Sequence, residues 1–391
     1  MTGFPIEIAT RLKSFPSYPF AAIDKMKQAA IARGVDLINL GIGESDLPTP
    51  TPVIESLAQA ANDPKHHQYP SYEGMLSFRK AVADWYSRRF NVGLDPADEV
   101  LTLIGSKEGM GHIHLAFVDP GDVVLVPSPC YQVYPVGTNF SGGISHMMPL
   151  TKENGFLPDL SAIPNEVAKK AKLMWLNSPN NPTSVIMTRD YFKRVVEFAQ
   201  ENQVIVCHDA AYSEIYYDGR RPASFMEVEG AKEVGVEFHS LSKTYNMTGW
   251  RLGYAVGRKE VLAGLGKVKS NLDSGVFEAV QVAGITALGL DDSVTDDIRK
   301  IYQERRDTFI PGLKKLGLDV DAPPATFCVW VRVPKGYTST TFTAHLLEKS
   351  GIVTTPGNGF GVQGEGYVRM TLCTSKGRLE EAVERMKKAG F

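Results

Sequence analysis

Clustered cysteine, charge of one sign and long apolar runs are all missing from this 391-residue chain. Its four cysteines, Cys130, Cys207, Cys328 and Cys373, are scattered, and none forms a C-x-x-C pair. A zinc or iron–sulfur centre needs clustered ligands, so no metal is expected. So few thiols in so long a chain also argue against a disulfide scaffold and fit a reducing cytoplasm. The 42 basic and 44 acidic residues nearly cancel, and no basic run stands out. That balance argues against a dedicated surface for nucleic acid or for an acidic membrane. No apolar stretch reaches the ~18 residues of a membrane span. Residues Met1 to Thr10 show no basic start followed by an apolar core, so no secretion signal is read. No internal repeat or low-complexity tract interrupts the chain.

What is present is the pattern of a two-domain α/β protein. Residues 1–20 hold three prolines and the aromatics Phe4, Phe15, Tyr18 and Phe20, which read as an extended arm. Ala21 to Arg33 is helical, with Ile23, Met26 and Ala30 on one face, and Asp36 to Leu40 is a short strand. From about residue 75 to 290 helices alternate with short apolar runs, at Val100 to Ile104, Val123 to Val126, Leu173 to Asn177, Val204 to Cys207 and Glu237 to Leu241. Such runs predict a largely parallel sheet covered on both faces. From about residue 291 the character turns α+β: a helix over Asp292 to Leu316, strands around Thr326 to Val333, and helices at Thr341 to Ser350 and Lys376 to Lys388. The expected organisation is therefore an arm (1–20), a large domain (51–290) and a smaller α+β domain made of 21–50 with 291–391.

In open α/β sheets ligands sit beyond the carboxyl ends of the strands, and the chemically suggestive motifs cluster there. Lys243 lies between Ser242 and Thr244, with Arg251 eight residues on. A dry pocket with nearby cations keeps a lysine amine uncharged and able to attack a carbonyl. Hydroxyls and an arginine are what a phosphate requires. A carbonyl and a phosphate in one ligand describe pyridoxal 5′-phosphate, PLP. By itself the run also fits a solvated loop lysine with a surface ion pair. Gly105-Ser106-Lys107-Glu108-Gly109 opens a helix directly after a strand, where free N–H groups bind phosphate, or where Ser106 simply caps. Asn177 to Thr183, with two prolines and three asparagines, is a rigid turn that presents Asn181 at a strand end. Asp209 ends the next strand, where a buried acid needs a partner such as a protonated pyridine nitrogen; Tyr212 follows three residues later. His208 reads as a core-edge residue rather than a catalyst. Arg369 sits in a strand of the smaller domain and suits a substrate carboxylate or a structural ion pair. Pro356 to Gly361 mimics a dinucleotide loop but stands in the wrong context for one.

Taken together these segments resemble the fold-type I PLP-dependent aminotransferases of class I/II. Within them the chain is most similar to the LL-diaminopimelate aminotransferase group. The matching text is Leu40-Gly41-Ile42-Gly43, Tyr69-Pro70-Ser71-Tyr72-Glu73-Gly74, Gly105 to Gly109 and His239 to Tyr254. The resemblance implies a large domain with a mostly parallel seven-stranded sheet flanked by helices, plus the smaller α+β domain. It implies that Lys243 carries the Schiff base and shuttles the proton, while Asp209 pairs with the pyridine nitrogen. Asn181 and Tyr212 bond the ring oxygen, and Tyr131 stacks on the ring. Ser106, the Lys107 backbone, Ser242 and Arg251 hold the phosphate. Tyr69 reaches the phosphate of a neighbouring subunit in a homodimer. Arg369 binds the α-carboxylate, with Gly41 at the same site. The implied activity transfers an amino group from an L-amino acid, LL-2,6-diaminopimelate foremost, to 2-oxoglutarate.

Two positions depart from the family pattern. Ser184 stands where glycine is usual, so it is strained if the backbone there needs a positive φ; a small loop adjustment is expected. Cys328 stands where tyrosine is common, which alters the substrate pocket or its rim. A general alanine, aspartate or aromatic aminotransferase, and a PLP-dependent C–S β-lyase, remain alternative readings of the same residues. A PLP-sensing regulatory domain is a third.

Overall fold

The computed structural model describes residues 6–13 and 21–391. Phe4, Phe15, Tyr18 and Phe20 of the expected arm lie outside those residues. Within the arm, Thr10–Lys13 forms one helical turn instead of extended chain. The first strand, β1 (Ile38–Asn39), is shorter than the expected run.

The central sheet comprises β2 (Val100–Leu103), β3 (Val123–Ser128), β4 (Ile144–Pro149), β5 (Ala171–Asn177), β6 (Ile205–Asp209), β7 (Gly235–Ser240) and β8 (Gly253–Gly257). Their order is β2-β8-β7-β6-β5-β3-β4. All neighbours from β7 through β4 pair in parallel, and only β8 runs against its two neighbours. The alternation of side chains explains why the runs look continuously apolar. Met174, Leu176 and Val206 pack into a core with the helices Leu76–Phe90 and Arg189–Asn202. Leu173, Trp175 and Cys207 face the other core, with the helices Ser106–Phe117 and Lys259–Leu272.

A third core gathers Ile38, Leu40, Tyr212, Ile215 and Tyr217 with residues from Ile298 to Met386. Strands β9 (Cys328–Arg332), β10 (Ile352–Val353), β11 (Thr355–Pro356) and β12 (Tyr367–Thr371) belong to it. β1 pairs in parallel with β10, and β11-β12-β9 form an antiparallel sheet. Residue Asp36 is tied to the last helix by Arg378 and Arg385, which hold its carboxyl down at about 2.

One register matters most for function. Asn177 of β5 stands opposite Asp209 of β6, which stands opposite Phe238 of β7. The turn carrying Asn181, the end of β6 and the segment carrying Lys243 therefore open on one edge of the sheet.

Candidate active site

Lys243 lies in the single helical turn Leu241–Thr244 that follows β7, entered through Ser240, whose hydroxyl accepts the Ser242 N–H. Its Nζ donates to the Gly43 carbonyl at 2.6 Å and lies 5.9 Å from the Tyr212 ring centroid. Burial depresses the ammonium below the usual lysine range, and the Arg369 guanidinium acts in the same direction. A depressed pKa leaves more of the amine uncharged and nucleophilic at neutral pH.

Asp209 is buried at the end of β6. Its Oδ2 accepts the Tyr134 hydroxyl at 2.6 Å and its Oδ1 accepts the Ala211 N–H at 3.1 Å. Burial pushes the carboxyl above its ordinary value, and these two donors offset only part of that. Tyr134 is a member of the site that sequence reasoning missed. It lies three residues beyond Tyr131, edge-to-face with it at 6.0 Å, and stacks on Trp175 at 4.5 Å. The spacing of the two tyrosines was the only signal available. The Tyr131 hydroxyl is pushed up to about 12, by burial first and then by the Asp209 charge.

Asn181 and Arg369 meet directly. Arg369 Nη1 donates to Asn181 Oδ1 at 2.9 Å, and Nη2 donates to the Gly41 carbonyl at 2.7 Å. The guanidinium carbon lies 4.8 Å from the Phe360 ring centroid, and Nε finds no hydrogen-bond partner among the described residues. Gly41 and Gly43 thus belong to a loop that reaches Arg369 and Lys243; a Cβ at Gly43 would meet the Tyr212 hydroxyl at 3.6 Å. The segment Gly357–Phe360 supplies this wall of the site through Phe360 and is no dinucleotide loop.

At the opposite end, Gly105 (φ +69) precedes the helix that begins at Ser106, with no side-chain cap. Ser106 therefore stands inside the first turn instead of capping it. The Arg251 guanidinium packs so close to Gly105 that a Cβ there would lie 2.2 Å from Nη2. A cation and a helix N-terminus converge, which is an anion-binding arrangement. The Ser242 hydroxyl is buried without a hydrogen-bond partner among the described residues. Lys107 is exposed, and Tyr69 is 93% exposed.

The two departures have clear outcomes. Ser184 does adopt φ +65, so the loop keeps the left-handed backbone and bears the strain. Cys328 is fully buried, and its Sγ lies 3.5 Å from Asn181 Oδ1.

Behind the site, Glu237 is a fully buried carboxylate that binds five donors. His208 Nδ1 lies at 2.8 Å, His239 Nε2 at 2.8 Å, Tyr86 OH at 2.7 Å, Ser224 Oγ at 2.8 Å and Phe225 N at 2.7 Å. The hydrogen bonds from both histidines hold its pKa well below the usual range despite the opposing cost of burial. Removing this carboxylate leaves its donors unmatched. Glu237→Leu should lower the free energy of unfolding by about 3–5 kcal/mol, measured by denaturant titration. Elsewhere Glu108, His112 and Asp273 bring three ligand-type atoms together. The buried Lys269 ammonium already bonds Glu108 at 2.9 Å and Asp273 at 3.4 Å, which offsets part of their charge.

A lysine with a depressed pKa, a buried acid, a helix start met by Arg251 and a second arginine, Arg369, thus gather at the ends of the central strands. The chain matches the family model "Aminotransferase class I and II" over residues 35–386 and belongs to that family. It is a transaminase. It is 59% identical to an LL-diaminopimelate aminotransferase of Syntrophobacter fumaroxidans, covering 98% of this chain and 99% of that protein. It is 56% identical to another of that name from Moorella thermoacetica, covering 97% of each. Among solved structures, substrate-bound BacF from Bacillus subtilis matches with a TM-score of 0.93 and 36% identity over 98% of both chains.

Proposed function

We propose that this transaminase uses PLP to move an amino group from LL-2,6-diaminopimelate to 2-oxoglutarate. The observation that carries the reading is the cluster of Lys243, Asp209, Asn181 and Arg369 on one sheet edge, in a chain 59% identical to an LL-diaminopimelate aminotransferase. The residues fit the cofactor. A buried acid with a raised pKa suits a pyridinium, and an unpartnered Ser242 hydroxyl beside the Gly105–Arg251 cradle suits a phosphate. When bound, PLP supplies an aldehyde that condenses reversibly with amines and a ring that accepts the electron pair left when Cα loses its proton.

The chain's own residues do the rest. Asp209 keeps the ring nitrogen protonated, and Tyr134 and the Ala211 N–H keep Asp209 in place. Asn181 and Tyr212 hold the ring oxygen, and Tyr131 covers the ring. Ser106, the Lys107 backbone, Ser242 and Arg251 hold the phosphate, joined by Tyr69 from the second subunit of a homodimer. With the cofactor bound, Lys243 would be the group that takes up and gives back the substrate proton, a role its depressed pKa favours. Arg369, with Gly41 beside it, grips the α-carboxylate. In this account residues 21–50 and 291–391 form the smaller domain and 51–290 the larger, with 1–20 an arm. Among the described residues no helix is long and apolar enough to cross a membrane, in keeping with a cytoplasmic enzyme.

Arg369→Lys keeps the charge but loses the planar fork. It should lower kcat/KM about 10- to 100-fold, the worth of one to two hydrogen bonds to a charged group, with most of the loss in KM. The test of the substrate is an amino-donor screen with 2-oxoglutarate, read as glutamate formed. LL-diaminopimelate should outrun alanine, aspartate and aromatic donors. Faster turnover of those donors, or pyruvate and ammonia released from a thioether, would replace this reading with the general aminotransferase or the lyase.

A further inference from the structure

Two residues with left-handed backbone face each other across the site wall. Ser184 (φ +65) closes the turn after β5, and Thr326 (φ +62) precedes β9. Neither is glycine or asparagine, and Thr326 is β-branched, so both conformations are costly unless something fixes them. Both side chains are buried. Ser184 Oγ donates to the Cys328 carbonyl at 2.7 Å and lies 2.7 Å from Thr326 Oγ1. Each hydroxyl has one proton. Ser184 spends its own on Cys328, so Thr326 must donate to Ser184. Thr326 Oγ1 in turn accepts the Cys328 N–H at 2.9 Å. The Thr326 backbone is pinned as well, its N–H on the Ile215 carbonyl at 2.8 Å and its carbonyl on the Tyr217 hydroxyl at 2.6 Å. The pair is a fully satisfied buried lock.

The lock closes a ring of contacts. On one side, the Ser184 N–H bonds the Asn180 carbonyl at 2.8 Å and so fixes the turn that presents Asn181. On the other, β9 pairs with β12, with Trp330 opposite Arg369. Arg369 returns to Asn181 at 2.9 Å. We infer that Ser184 is a positioning residue that sets the separation of Asn181 and Arg369, and through it the affinity for carboxylate substrates. The inference rests on the proposed assignment of those two residues to the substrate. The Ser184 hydroxyl bonds only Thr326 and the Cys328 carbonyl among the described residues, so it acts through the turn and through β9.

The test compares Ser184→Gly, Thr326→Val and the conservative Thr326→Ser in the full-length holoenzyme. Ser184→Gly relieves the backbone strain while removing the hydroxyl, so folding is not the obstacle. Ser184→Gly and Thr326→Val should each raise KM for both the amino donor and the 2-oxo acid about tenfold, with kcat changed less than about twofold. Thr326→Ser, which keeps the hydroxyl, should keep the wild-type KM. Borohydride should still fix PLP to Lys243 in all three. Unchanged KM values in Ser184→Gly and Thr326→Val, beside an active wild type, would overturn the positioning role alone. A wild type with neither turnover nor cofactor captured at Lys243 would overturn the functional reading together with it.

Discussion

Lys243→Ala is expected to cut turnover by at least about 10⁴-fold, the upper end of what a positioned proton-transfer group contributes. The side chain does two jobs that no neighbour can take over. In the proposed reaction it is the amine that holds the cofactor covalently and the base that moves the substrate Cα proton. Its depressed pKa serves both, because the uncharged nitrogen is the reactive form. Its contact with the Gly43 carbonyl at 2.6 Å holds it beside the loop that also reaches Arg369. The variant should still fold, since alanine is compatible with the helical turn Leu241–Thr244. Borohydride should then fix no cofactor to the protein. Covalent capture in Lys243→Ala at wild-type level would move the reaction centre elsewhere.

Asp209→Asn should lower kcat/KM by about 10²–10³-fold, within the range for losing one preorganised electrostatic group. The change is nearly isosteric, and the amide oxygen can still accept the Tyr134 hydroxyl. The negative charge goes, and with it one acceptor, because the amide NH2 replaces the oxygen that accepts the Ala211 N–H. A unit charge about 4 Å from a cationic nitrogen is worth about 4 kcal/mol at an effective dielectric constant of 20, or roughly 10³-fold. Unlike Lys243→Ala, this variant should keep covalent capture at Lys243. A loss below about tenfold, measured with saturating PLP, would show that Asp209 does not stabilise the charge that builds up in the reaction.

Much of this was legible in the sequence because the parallel sheet is buried on both faces. β3, β5, β6 and β7 show as short β-branched apolar runs, and their ends carry Asn181, Asp209 and Lys243. Two strands escaped for local reasons. β4 (Ile144–Pro149) is an edge strand with only Met148 and the following Leu150 buried, so it carries no apolar run. β8 (Gly253–Gly257) is three side chains between two glycines and reads as part of the phosphate-binding block. The supporting residues were hidden by distance in sequence. Glu237 read only as the start of a strand, while its partners Tyr86 and His208 lie 151 and 29 residues away. Ser184 and Thr326 are 142 residues apart. Ser184 does take the positive φ at which strain was expected, and its hydroxyl is held by Thr326 and by the Cys328 carbonyl.

The most direct measurement mixes the purified holoenzyme with LL-diaminopimelate in the absence of any 2-oxo acid. The account predicts one equivalent of 2-oxo product per active site and then a stop, with the amino group retained on the enzyme. After that single turnover borohydride should no longer fix the cofactor to Lys243, and adding 2-oxoglutarate should restore capture and release one equivalent of glutamate. Continuous product formation without an acceptor, or no product at all with capture at Lys243 undiminished, would contradict it.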